Sequence, residues 1–166
     1  MSSVRQRAVD IGIEIAEDPA HGYDQEHRWG PDYDCSSFVI TCYKRAGADV
    51  NGATTTVNMR QRMCTPPGQF TAIPFADLRQ LRLGDILLNT QNHTCLYIGE
   101  QKVVEASINE NGETTGGQTG DQTGAEILVR PEYIYPAGGW NYILRYTGPG
   151  EIPIWMLFKF NERRVI

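Results

Sequence analysis

The chain has 166 residues, 40% hydrophobic and 21% charged, which is the composition of one globular domain with no room for a second of ordinary size. At this length roughly two-thirds of the unfolded surface is buried on folding, so a core forms without staples. The balance of 15 basic and 20 acidic residues gives a net charge of −5, and only short basic pairs such as Arg163-Arg164 occur, so nucleic acid is not an expected partner.

No run of 18 apolar residues is present, so no transmembrane helix and no membrane partner are expected. Met1 to Arg7 runs into Ile11-Gly12-Ile13-Glu14, whose charge interrupts any signal-peptide core. Synthesis in the cytoplasm, without export by the usual route, is therefore the expectation. For such a product the four cysteines, Cys35, Cys42, Cys64 and Cys95, are expected as free thiols.

Residues 3 to 17 read as an amphipathic helix, with Val4, Ala8, Ile11 and Ile15 at helical spacing, Ser2 or Ser3 as cap and Asp18-Pro19 as stop. A polar, aromatic loop follows from His21 to Asp34. A second helix spans about Cys35 to Ala46, with Asp34 at the N-cap, Phe38, Val39, Cys42 and Ala46 on one side and Gly47 at C′. Thr54-Thr55-Thr56 caps a short third helix through Met59 and Met63. From residue 81 the pattern changes to strands, at Leu83–Leu88, His93–Ile98, Lys102–Ile108, Ala125–Arg130 and Trp140–Tyr146. Between them lies a polar loop, residues 109 to 124, long enough to be a lid over a cleft or a flexible connection. Ile152–Phe160 reads as a further apolar strand, and Gly148-Pro149-Gly150 as a hinge, which divides the chain into a domain at 1–147 and a tail at 148–166. Helices first and an antiparallel sheet afterwards make an α+β domain.

Cys35 occupies the first turn of the second helix, where the helix end favours an anion, and the thiolate is the reactive form of cysteine. His93 opens one strand and Glu105 lies in the next. A three-residue loop, Gly99-Glu100-Gln101, pairs Cys95 with Glu105 and His93 with Ser107, which puts Glu105 diagonal to His93 on one face. A two-residue loop puts them on opposite faces. Cys35, His93 and Glu105 together would be a nucleophile, a base and a carboxylate that orients the base. His21 and His27 lack the companions a metal site needs, and the cysteines form no C-x-x-C pair, so neither metal nor cofactor is expected. Trp29 is placed to stack on substrate or to pin its loop, and Trp140 and Tyr142 read as core.

Four segments in register carry a resemblance. Tyr33-Asp34-Cys35-Ser36-Ser37-Phe38-Val39 is similar to the D-C-S-G/S-F-V signature of the NlpC/P60 superfamily of cysteine peptidases. Leu83-Gly84-Asp85-Ile86-Leu87 resembles its G-D-L strand, His93-Thr94-Cys95-Leu96-Tyr97-Ile98-Gly99 its H-V-G-I-Y-I-G strand, and Glu105-Ala106-Ser107 its third polar position. Trp29 to Ser37 and Gly120-Asp121-Gln122-Thr123-Gly124 resemble the phage branch, the endolysins and prophage lysins of Gram-positive hosts. The resemblance implies a papain-like fold, amide-bond cleavage in bacterial peptidoglycan without metal, Cys35 as nucleophile, His93 as general base and Glu105 as orienting residue. It also implies Tyr23 and the Cys35 backbone N–H at the oxyanion, with Trp29, Asp34 and Ser36 near the substrate. Where the superfamily often has His, Asn or Gln, this chain has Glu105, and a carboxylate there raises the His93 pKa. The bond is either that between N-acetylmuramic acid and L-alanine or one next to D-glutamate or D-glutamine. The protein is expected to act on the wall as a monomer. A secretion-system effector with the same chemistry, an acyltransferase and a non-catalytic wall-binding module are the other readings.

Overall fold

The computed structural model describes residues 2–151, so the strand expected over Ile152–Phe160 lies outside the described residues. Three helices, α1 (Val4–Glu17), α2 (Cys35–Arg45) and α3 (Thr56–Cys64), precede all the strands of a six-stranded sheet. Its strands are β1 (Phe70–Pro74), β2 (Ile86–Asn89), β3 (His93–Gly99), β4 (Lys102–Ala106), β5 (Ile127–Pro131) and β6 (Tyr142–Tyr146). They lie in the order β1-β6-β2-β3-β4-β5, and every pairing is antiparallel. This is the expected α+β architecture.

The helix ends follow the local chemistry. Ser3 accepts from the Gln6 N–H to cap α1, and Asp34 closes a reciprocal capping box with Ser37 on α2. Gly47 follows the last turn of α2 in the left-handed region, at φ 98°, as a C′ glycine does. Strand β1 and a 3-10 turn at Leu78–Gln80 escaped the sequence reading, and β1 is the one that matters to the sheet. It is an edge strand paired with β6 alone, closed by Pro74, and lacks the alternation that marks a half-buried strand. Trp140 stands in the loop before β6 rather than in the strand.

Both faces of the sheet are covered. Ile86, Leu88, Leu96, Val104 and Leu144 meet Val4, Ala8, Ile15, Phe38 and Val39 of α1 and α2. Leu87, Cys95, Val103 and Ile143 point the other way and are closed over by Trp140, Tyr133 and Tyr135. Helix α2 is buried nearly all round, which fixes its N-terminus against the sheet. The Leu83-Gly84-Asp85 segment is structural. Asp85 is fully buried and takes Arg145 Nε and Nη2 at 2.9 and 2.7 Å, a bidentate pair joining the start of β2 to β6. Gly84, at φ 83°, leaves no space for a Cβ, which would come within 2.7 Å of the Arg5 side chain. Among the described residues no helix is long and apolar enough to cross a membrane.

Candidate active site

The site is built where the N-terminus of α2 reaches the sheet. Asp34 Oδ1 accepts from the Ser37 N–H at 2.7 Å, and Ser37 Oγ accepts from the Asp34 N–H at 3.0 Å, so the first turn is locked with Cys35 at its start. Arg28 braces the same turn: its Nε lies 3.0 Å from Asp34 Oδ2, and its Nη2 donates to Ser36 Oγ at 2.7 Å and to the Thr54 carbonyl. Asp34 and Ser36 are thus engaged in holding the helix start, and both are buried.

His93 and Glu105 come together across β3 and β4. Leu96 pairs with Val104 and Tyr97 with Val103, which, continued, sets Cys95 opposite Glu105. That is the register expected from a three-residue loop, but it is reached differently. Gly99 pairs with Lys102, leaving a two-residue turn of Glu100 and Gln101, and a bulge between Tyr97 and Gly99 restores the face. His93 Nε2 and Glu105 Oε2 are 2.7 Å apart. On the other side, Val103 pairs with Arg130 and Glu105 with Leu128, so Arg130 is the second diagonal neighbour of Glu105. Its Nη1 donates to Glu105 Oε1 at 3.2 Å, and the Tyr133 hydroxyl donates to Oε2 at 2.7 Å.

With Nε2 taken by Glu105, Nδ1 is the nitrogen of His93 left for Cys35, which lies close enough to the ring to raise its proton affinity. Burial alone would lower the His93 pKa, but the hydrogen bonds and negative charge of Cys35 and Glu105 outweigh it and raise it to about 9. Glu105 is held below the usual carboxylate range: burial opposes this, and His93, Tyr133 and Arg130 prevail. Burial pushes the thiols of Cys42, Cys64 and Cys95 up, so each stays neutral. An imidazolium between a thiol and a carboxylate is an arrangement that can move a proton to and from a reacting group.

Aromatic rings hold the imidazole in place. Tyr135 stacks on His93 at 5.3 Å and Trp140 at 6.1 Å, and Trp140 Nε1 donates to the Tyr133 carbonyl at 2.6 Å. Sequence reasoning missed Arg28, Arg130, Tyr133 and Tyr135 and read Trp140 only as core. The one available signal was the density of aromatics between 133 and 142, since the contacts depend on pairing between distant strands.

Tyr23 is buried close to Cys35 and Asp34. Burial, together with those charges, keeps its phenol protonated, and its hydroxyl accepts from Gln25 Nε2 at 3.1 Å. Glu126, fully buried, accepts from the Tyr23 N–H at 3.2 Å and fixes that backbone. Trp29 is set apart from the imidazole. It is 50% exposed, carries the Arg28 guanidinium 5.0 Å from its ring, and lines a separate groove of about 410 Å³ with Ile40, Lys44 and Val50. His21 contacts the Pro31 carbonyl through Nδ1, and His27 stands on the surface beside Asp24. The 109–124 loop is folded on itself around Asn109, whose Oδ1 accepts from Asn111 and Glu113, and is tied to the loop before Cys35. The ties run from the Gln25 N–H to the Thr114 carbonyl and from the Gly120 N–H to Asp32 Oδ1. Among the described residues no three His, Cys, Asp or Glu side chains converge as metal ligands would.

The fold is shared with solved structures of low sequence identity. NlpC1 from Trichomonas vaginalis is similar at a TM-score of 0.55 and 18% identity, over 89% of this chain and 45% of that one. The peptidoglycan hydrolase RipB from Mycobacterium tuberculosis is similar at 0.54 and 16%, over 86% and 66%. The P60 domain of an antigen from M. avium subspecies paratuberculosis is similar at 0.53 and 16%, over 89% and 98%. The chain therefore spans less than half the length of the Trichomonas protein and nearly all of the isolated P60 domain. No curated protein sequence matched. An endolysin-like domain model matches residues 103–149, from β4 to the end of β6. The NlpC/P60 family model matches residues 24–123, more than half of the chain and the whole span from the loop before Cys35 through Glu105, and the chain belongs to the NlpC/P60 family.

Proposed function

We propose that this chain is the catalytic domain of a peptidoglycan hydrolase, a phage or prophage lysin, that cuts an amide bond in or next to the stem peptide. The observation that carries the reading is the 2.7 Å contact of His93 Nε2 with Glu105 Oε2, with Cys35 close by the same ring. Family membership and the endolysin-like match support the substrate class.

In this mechanism the Cys35 thiolate attacks the carbonyl carbon, and the negative charge that develops on oxygen meets the Cys35 backbone N–H and the Tyr23 hydroxyl. The His93 imidazolium gives its proton to the leaving amine as the C–N bond breaks. The imidazole then takes a proton from water, whose oxygen attacks the thioester and releases Cys35 as the thiolate. Glu105 keeps Nε2–H occupied, so Nδ1 is the nitrogen that exchanges the proton. Residues 1–147 form the working domain in this reading, acting on the wall as a monomer, with 148–166 as a tail.

The test is digestion of purified peptidoglycan from several Gram-positive wall types, with products read by mass spectrometry and Cys35→Ala run alongside. New products that require Cys35 support the hydrolase, and the freed amine names the bond. A folded protein that releases nothing from any wall refutes it and leaves the wall-binding module.

A further inference from the structure

We propose that Arg130 is a substrate-binding residue that holds a carboxylate beside the scissile amide, so that the site prefers stem peptides with D-glutamate over those with the amidated residue. This rests on the hydrolase reading above and adds a specificity to it. Next to His93 lies a cavity of about 340 Å³ bounded by Glu105, Ser107, Arg130, Tyr133 and Tyr135. Three charged groups line it and differ in access: the His93 imidazolium is paired with Glu105 and its side chain is only 11% exposed. Glu105 is 1% exposed and closed off by its own donors, whereas the Arg130 side chain is 43% exposed. The charge this part of the cavity offers an incoming ligand is therefore the guanidinium.

That guanidinium is also oriented before any ligand arrives. One nitrogen is held at 3.2 Å by Glu105, and the planar group lies 4.3 Å from the centre of the Tyr133 ring. Its remaining N–H groups make no hydrogen bond among the described residues, which leaves donors free for a bidentate carboxylate. A preorganised cation loses little side-chain entropy on binding. At a bond made by D-glutamate the free carboxyl lies on a residue that flanks the reacting carbon, whereas at muramoyl–L-alanine the whole of L-alanine stands between them.

A purely structural Arg130, serving only to neutralise Glu105, would treat acidic and amidated ligands alike. The experiment measures binding of soluble muropeptides by calorimetry to the Cys35→Ala protein, using a matched pair with D-glutamate or D-isoglutamine at the second position. Binding of the acidic member about tenfold more tightly is expected, with the preference lost in Cys35→Ala/Arg130→Gln and partly kept with Arg130→Lys. Equal affinities, no binding of either ligand, or a preference that survives Arg130→Gln would overturn the assignment. Hydrolysis itself is decided independently by Cys35-dependent product release from whole walls, so the two readings fail separately.

Discussion

Replacing Glu105 by Gln changes the charge of the site while nearly preserving its shape. The amide oxygen can take over the His93 and Tyr133 donors, now 2.7 Å from Oε2, and the amide nitrogen is turned towards Arg130, which is exposed enough to swing into water. His93 keeps its proton to about pH 9, against an ordinary 6.5, because Cys35 and Glu105 together outweigh the effect of burial. Taking away one of these two anions is expected to withdraw about one pKa unit, or about 1.4 kcal/mol of preference for the imidazolium. The alkaline limb of kcat/KM reports the loss of the imidazolium proton in the free enzyme. It is expected near pH 9 in the unaltered protein and about one unit lower in Glu105→Gln, measured by product release from a soluble muropeptide across pH 5 to 10. An NMR titration of His93 gives the same quantity without turnover. An alkaline limb that stays in place after the substitution would refute the electrostatic role assigned to Glu105.

The same ionisations predict how stability follows pH. The raised His93 value contributes stability that is complete below its ordinary pKa of 6.5 and is lost as pH rises through about 9, whereas the depressed Glu105 value contributes fully above the ordinary carboxyl range and is lost as pH falls below that range through its lowered value. Melting temperatures are therefore expected to decline at both ends, and Glu105→Gln is expected to flatten both declines. Tyr133→Phe removes one 2.7 Å donor to Glu105 while leaving the ring to pack on Trp140. A cost of about 1 kcal/mol is expected, read as a several-fold lower kcat with KM little changed. An unaltered kcat would show that this donor plays no part. Asp34→Ala removes the cap of α2 and leaves Arg28 without its carboxylate, so a loss of about 1–2 kcal/mol is expected, a fall of several degrees in melting temperature. A melting point equal to that of the unaltered protein would contradict the bracing described for this turn.

Much of the architecture was legible because its signals are local. Ser3, Asp34 and Gly47 mark helix ends through groups within four residues of the backbone they satisfy, so the boundaries of α1 and α2 could be read from the chain alone. Cys35, His93 and Glu105 stood out because a helix start and two adjacent strands limit where such side chains can point. The register that joins the last two was foreseen for a different loop. Glu100 and Gln101 adopt positive φ without the glycine or asparagine that signals such a turn, and the compensating bulge beside Ile98 has no signature of its own. Strand β1 was hidden for a related reason, since an edge strand with one partner need not alternate.

The sequence by itself determined the helix caps, the order of elements and the three chemical groups, because each depends on neighbours along the chain. Only the tertiary structure decided what surrounds them. Arg130 and Tyr133 reach Glu105 from 25 and 28 residues away, Tyr135 and Trp140 cover His93 from the loop between β5 and β6, and Arg28 spans from the first loop to Ser36 and Thr54. The proton affinity of His93 is set by burial and by charges brought alongside it in space. Such interactions fall off with distance through the folded molecule, for which separation along the chain is no measure.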